Sequence, residues 1–96
     1  MFARHYQFTI NPTRMNEVEQ LADSANEILK AQKGFRSVTF YADRETGACG
    51  SFSLWETRED LDAYANAEFP QLKKPAAGLF TGPSQSAVFE VYEPKA

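Results

Sequence analysis

Ser37-Val38-Thr39-Phe40-Tyr41-Ala42-Asp43-Arg44-Glu45-Thr46-Gly47-Ala48-Cys49-Gly50-Ser51-Phe52-Ser53-Leu54-Trp55 holds the key to the architecture. In Ser37–Ala42 the apolar Val38 and Phe40 alternate with Thr39 and Tyr41, the period that sends successive side chains to opposite faces of a strand. Asp43-Arg44-Glu45-Thr46-Gly47 is turn chemistry. A further strand over Ala48–Trp55 comes at hairpin distance, so the two pair antiparallel. Gly50 inside that strand predicts either a bulge or the close approach of another group to the backbone.

On the N-terminal side, Phe2 to Ile10 also alternates. Phe2, Tyr6, Phe8 and Ile10 share one parity with Arg4, whereas Ala3, His5, Gln7 and Thr9 form a mainly polar face. Asn11 is a helix cap and Pro12 suits the first helical position, where no backbone donor is lost. Met15, Val18, Ala22, Ala25 and Leu29 then recur at helical spacing, which predicts an amphipathic helix of about twenty residues closed by Lys30, Lys33 and Gly34.

On the C-terminal side, Thr57 caps a second helix with Glu59, Asp60 and Asp62 near its positive end. Leu61, Tyr64 or Ala65, and Phe69 form its inner face. Pro70 and Pro75 are expected to break the next stretch of chain into short pieces, with a loop over Ala76–Ser86. A last strand is expected at Ala87–Glu93, apolar on both parities except for Glu90.

The order strand-helix-strand-strand-helix-strand predicts one ferredoxin-like α+β domain, βαββαβ, over residues 1–96. Its four-stranded antiparallel sheet carries both helices on one face. Val38, Phe40, Tyr41, Phe52 and Leu54 cannot all lie beneath two helices, so a second copy is expected to cover the bare face as a two-fold homodimer. The competing expectation is a monomer with scattered surface aromatics.

Composition narrows the function. With 10 Lys/Arg against 13 Asp/Glu the net charge is -3, which offers no cationic excess to a nucleic acid. An RNA-binding sheet of the same strand order would also need a basic aromatic motif on its third strand, and none stands there. Cys49 is the single cysteine, so no internal disulfide forms. No signal-peptide pattern and no long apolar run is present, and the expectation is a cytoplasmic protein without membrane attachment. Neither a phosphate-cradling glycine loop nor a His/Cys set at metal-ligand spacing occurs, so no metal or cofactor is expected.

Ser53-Leu54-Trp55-Glu56-Thr57-Arg58-Glu59-Asp60-Leu61-Asp62-Ala63-Tyr64 resembles the signature of the antibiotic biosynthesis monooxygenase family. There a strand ends in Trp-Glu, a Ser/Thr caps the next helix, and a Leu precedes a His or an aromatic residue. Gly34-Phe35 and Val88-Phe89-Glu90-Val91-Tyr92 fit the same pattern. The resemblance implies the dimeric α+β barrel, and with it cofactor-independent oxidation of a small aromatic substrate of the phenol or hydroquinone type. Two departures stand out. Tyr64 occupies the place of a helix histidine that ligates iron in haem-degrading relatives, although Asn11 and Trp55 match their Asn and Trp. Ser51 stands where some monooxygenase relatives carry an Asn, four residues before the Trp.

The candidate groups each have two readings. Trp55 is either a donor and stacking surface for an aromatic ketone or a core filler. Tyr64 is a phenol donor, a base if its pKa is lowered by a cation, or a surface hydroxyl. His5 has the intrinsic pKa for acid–base work but lacks a visible partner. Asn11 is a helix cap or, by the resemblance, a catalytic amide. A cofactor-free oxygenase must hold a substrate anion able to give an electron to dioxygen in a water-poor aromatic pocket. Trp55, Tyr64, Phe52 and Phe69 are candidates for that pocket, beside Ser51, with His5 or Arg36 stabilising the charge. The alternative is a binding or structural homodimer without chemistry.

Overall fold

The computed structural model describes residues 1–95. At the centre of the sheet runs β1 (Phe2–Thr9), paired antiparallel to β3 (Ala48–Trp55) on one side and to β4 (Gln85–Glu90) on the other. β2 (Phe35–Ala42) lies outside β3, so the strand order is β2-β3-β1-β4. This is the ferredoxin-like α+β fold expected from the element order. The register sets His5 opposite both Phe52 and Ala87, and it sets Arg4 opposite Ser53 and Val88.

The hairpin turn is built by Asp43, whose Oδ1 accepts the N–H groups of Glu45 at 2.8 Å and Thr46 at 3.2 Å. Gly47 closes it at φ +82°, where a Cβ would stand 1.9 Å from the Ile10 carbonyl oxygen. Gly50 proves to be the site of a close approach. A Cβ there would lie 2.2 Å from the Tyr41 hydroxyl and 2.5 Å from the Tyr6 carbonyl oxygen. The register irregularity falls instead between Phe35 and Ser37, which lets β2 begin at Phe35, opposite Trp55 and two residues earlier than the alternation of Ser37–Ala42 suggests.

Asn11 caps as expected, its Oδ1 accepting from the Thr13 N–H at 3.0 Å. The first turn is a 3-10 turn over Pro12–Arg14, and α1 proper spans Met15–Lys30. The second helix, α2 (Arg58–Ala67), starts at the cap of Thr57, which accepts from the Asp60 N–H at 3.1 Å.

The region of the two prolines differs from expectation. A third helix, α3 (Phe69–Ala76), runs through it, and Phe69 opens this helix rather than ending α2. Pro70 sits in the first turn, where a backbone donor has no helical acceptor in any case. Pro75 falls one residue from the end, where its missing N–H interrupts little of the ladder. A 3-10 turn (Ala77–Leu79) and a bridge between Ile10 and Phe80 replace most of the expected loop. β4 starts and stops earlier than expected; Phe2, the first residue of β1, pairs with Glu90, and past that pair one hydrogen bond follows, from the Val91 N–H to the Met1 carbonyl at 2.9 Å.

The helices cover the face of Arg4, Tyr6 and Phe8. Two clusters pack there, one around Ile10, Met15, Cys49 and Leu79, the other around Leu29, Trp55, Leu61 and Tyr64. The opposite face stays open. On it the His5 ring stacks on Phe52 at 4.2 Å between centroids, and Phe52 and Phe89 remain 48% and 54% exposed.

Candidate functional site

Between the sheet and the helices, touching both packed clusters, lies a cavity of about 110 Å³. It exists because small side chains face one another there. α1 presents Ala22 and Ala25, and β3 presents Ser51 and Ser53, where longer side chains would meet. Tyr6 and Phe8 of β1 and Val38 and Phe40 of β2 form the floor. Tyr64 of α2 and Phe69, Leu72 and Lys73 of α3 form the far wall. The lining is thus aromatic and aliphatic with a few hydroxyls, as ligand pockets commonly are.

Arg4 is the anomaly in that lining. Only 7% of it is exposed, and its guanidinium sits 4.0 Å from the centre of the Phe69 ring and 5.3 Å from that of Tyr6. No hydrogen bond or ion pair engages it among the described residues. Burial pushes its pKa down, against the opposing pull of Tyr64 and Tyr6. The Tyr6 hydroxyl is also buried, with the Ser84 side chain beside it.

Tyr64 is 5% exposed, and burial pushes its phenol up to about 12, with Arg4 opposing and Glu68 reinforcing the rise. The cation that would be needed to make Tyr64 a base is therefore present, but desolvation outweighs it. At neutral pH Tyr64 is a protonated donor. Behind it, the Trp55 ring stacks at 5.1 Å between centroids.

The other expected site residues divide sharply. Tyr64, Phe69 and Ser51 line the cavity together. Trp55 is fully buried and outside the lining, its indole N–H given to Ser53 Oγ at 2.9 Å. Its part is to hold Tyr64 and Ser53 in place. His5 and Phe52 stand on the opposite sheet face, where His5 Nε2 lies 2.6 Å from the Tyr41 hydroxyl. The odd parity of β1 that groups His5 with Gln7 and Thr9 carries all three away from the cavity. Asn11 is exposed and occupied as a cap, and Arg36 is exposed and ion-paired with Glu56. Cys49 is buried, its thiol pushed up by burial, which suits a core residue rather than a nucleophile. Among the described residues no three His, Cys, Asp or Glu side chains gather as a metal site.

Residues 1–70 match the family model described as antibiotic biosynthesis monooxygenase. The chain belongs to the antibiotic biosynthesis monooxygenase family. Solved structures share its fold at low identity. A putative antibiotic biosynthesis monooxygenase from Deinococcus radiodurans is 12% identical with a TM-score of 0.85, covering 100% of this chain and 97% of its own. The monooxygenase from the gene ActVA-Orf6 of Streptomyces coelicolor, solved with the ligand Nanaomycin D, is 19% identical with a TM-score of 0.80, over 99% and 90%. Rv0793 from Mycobacterium tuberculosis is 20% identical with a TM-score of 0.79, over 99% and 98%. No curated protein matches the chain. In this antibiotic biosynthesis monooxygenase family member no helix of the described residues is long and apolar enough to cross a membrane.

Among the cavity residues that sequence reasoning passed over are Arg4, Tyr6 and Ser53. Arg4 had a signal, since a lone cation shares the parity of Phe2, Tyr6, Phe8 and Ile10. Ser53 had none, because a serine two residues before a tryptophan says nothing of which face is enclosed.

Proposed function

We propose that this protein is a monooxygenase that oxidises a small aromatic substrate of the phenol or hydroquinone type with dioxygen and without a resident cofactor. The observation that carries the reading is the aromatic, sheltered cavity, with the protonated phenol of Tyr64 in its wall, in a chain of this family. The reaction balances on the substrate alone. The bound phenolate gives an electron to dioxygen, and the resulting radicals join at a ring carbon as a peroxide. Loss of water then leaves a carbonyl there. One oxygen atom ends in the quinone and the other in water, and the substrate supplies all four electrons by giving up its hydroxyl and ring hydrogens.

Tyr64 donates to the developing oxygen anion, Phe69 and Ser51 shape the cavity, and Trp55 fixes the Tyr64 ring from behind. Two copies assemble through the open sheet faces of His5, Phe52 and Phe89, none of which lines the cavity. The single buried thiol suits a reducing, cytoplasmic setting.

The test is oxygen uptake with a panel of single-ring phenols and hydroquinones, paired with a fluorescence titration of Trp55, which senses the cavity through Tyr64. Uptake with one oxygen atom of labelled dioxygen in the product supports the oxidation. Quenching without uptake across the panel replaces it with a binding module.

A further inference from the structure

The charge inside the cavity is opposite to that of the whole chain. The protein carries a net charge of -3, yet the charged residues in the cavity lining are Arg4 and Lys73, and no Asp or Glu joins them. Lys73 is exposed at the rim, so its charge is satisfied by water. Arg4 is not. A guanidinium presents five N–H donors around its edge, and the π faces of the Phe69 and Tyr6 rings offer it no lone-pair acceptor. Burying a cation without an acceptor is costly, and the folded chain supplies no acceptor among the described residues. The neighbouring Tyr6 hydroxyl, two residues along the same strand face, is buried too, with the Ser84 side chain beside it.

A guanidinium with no acceptor on the chain and a buried hydroxyl two residues along β1, in a cavity whose lining holds no acid, form an incomplete site. What completes it is an acceptor with negative charge. We infer that Arg4 and Tyr6 form an anion-holding pair that receives the ionised oxygen of a single-ring aromatic ligand. The inference rests on the reading of this cavity as the substrate chamber and adds to it the ligand's charge and size. The size is set by the volume. A dry cavity of about 150 Å³ takes one benzene, so the present space of about 110 Å³ suits one ring rather than several. The ring lies among Phe8, Val38, Phe40 and Leu21, while its oxygen points toward the guanidinium edge. In an oxidation, this pair keeps the substrate in the phenolate form that can give up an electron.

A direct reporter is para-nitrophenol, whose colour distinguishes phenol from phenolate, titrated into the native protein beside its uncharged methyl ether, para-nitroanisole. The phenolate is expected to bind at least about tenfold more tightly than the ether, the scale of a charge-assisted hydrogen bond. The pKa of the bound phenol is expected to fall by about one unit or more relative to the free dye. Arg4→Met abolishes that fall, and Arg4→Lys keeps part of it. Equal binding of phenolate and ether, or a bound pKa unshifted or raised, overturns the inference, and both are read on the native chain even if the variant does not fold. A preference for phenolate without oxygen uptake upholds the anion pair while removing the oxidation.

Discussion

The indole N–H of Trp55 donates to Ser53 Oγ at 2.9 Å, and both residues are buried. Ser53 thus satisfies the polar edge of the largest core side chain while its own place is in the cavity wall. Ser53→Ala leaves a buried donor unpaired and is expected to destabilise the fold by about 1–3 kcal/mol. Urea unfolding followed by Trp55 fluorescence measures this, and an unchanged midpoint would mean that water replaces the hydroxyl.

Tyr64 makes alkaline stability a readout of burial. Its phenol titrates at about 12 in the folded chain, against about 10 when unfolded. Below pH of about 10 both states are protonated and the stability is complete. As pH rises from about 10 to about 12 the unfolded state loses the proton first, and stability falls by up to about 2.7 kcal/mol. Tyr6, also raised by burial, adds in the same sense. Tyr64→Phe should remove most of this loss, as urea midpoints across that range would show. The same variant is expected to lower kcat about a hundredfold, the scale of one oxyanion donor.

Arg4 bears on stability as well as on binding. A buried cation without a partner costs the folded state more than its contacts with two rings return. Arg4→Met is therefore expected to raise the urea midpoint, by about 1 kcal/mol in stability. A lower midpoint would assign Arg4 to packing against Phe69.

The open sheet face predicts the assembly. Phe52 is 48% exposed and stacked on His5 at 4.2 Å, at the middle of the surface assigned to the second copy. Phe52→Asp places a charge there that an apolar contact cannot accept and is expected to give a monomer by sedimentation. A native chain that already sediments as one copy would sink the assignment.

The element order was readable because the alternation of Phe2–Ile10, the Asp43–Gly47 turn and the caps at Asn11 and Thr57 are local signals, fixed by nearest neighbours. Pro70 and Pro75 misled because a proline's effect depends on its place within a helix, and the α3 boundaries depend on packing against α1 and α2. The site was only half legible. Tyr64, Phe69 and Ser51 converge, but alternation alone cannot say which parity the helices will cover. For that reason parity left open that His5 and Phe52 lie on the face away from the cavity and Arg4 on the face toward it.

α3 and the turn after it supply Leu72, Lys73, Ala76, Leu79 and Phe80 to the cavity, all beyond the 1–70 stretch that matches the family model. β1, the β2–β3 hairpin and α2 thus fall within the matched stretch, while this closing segment and β4 fall outside it. Exchanging a dozen or so residues here is the economical route to retuning which molecule is admitted, because the scaffold that keeps Arg4 in position need not be redesigned.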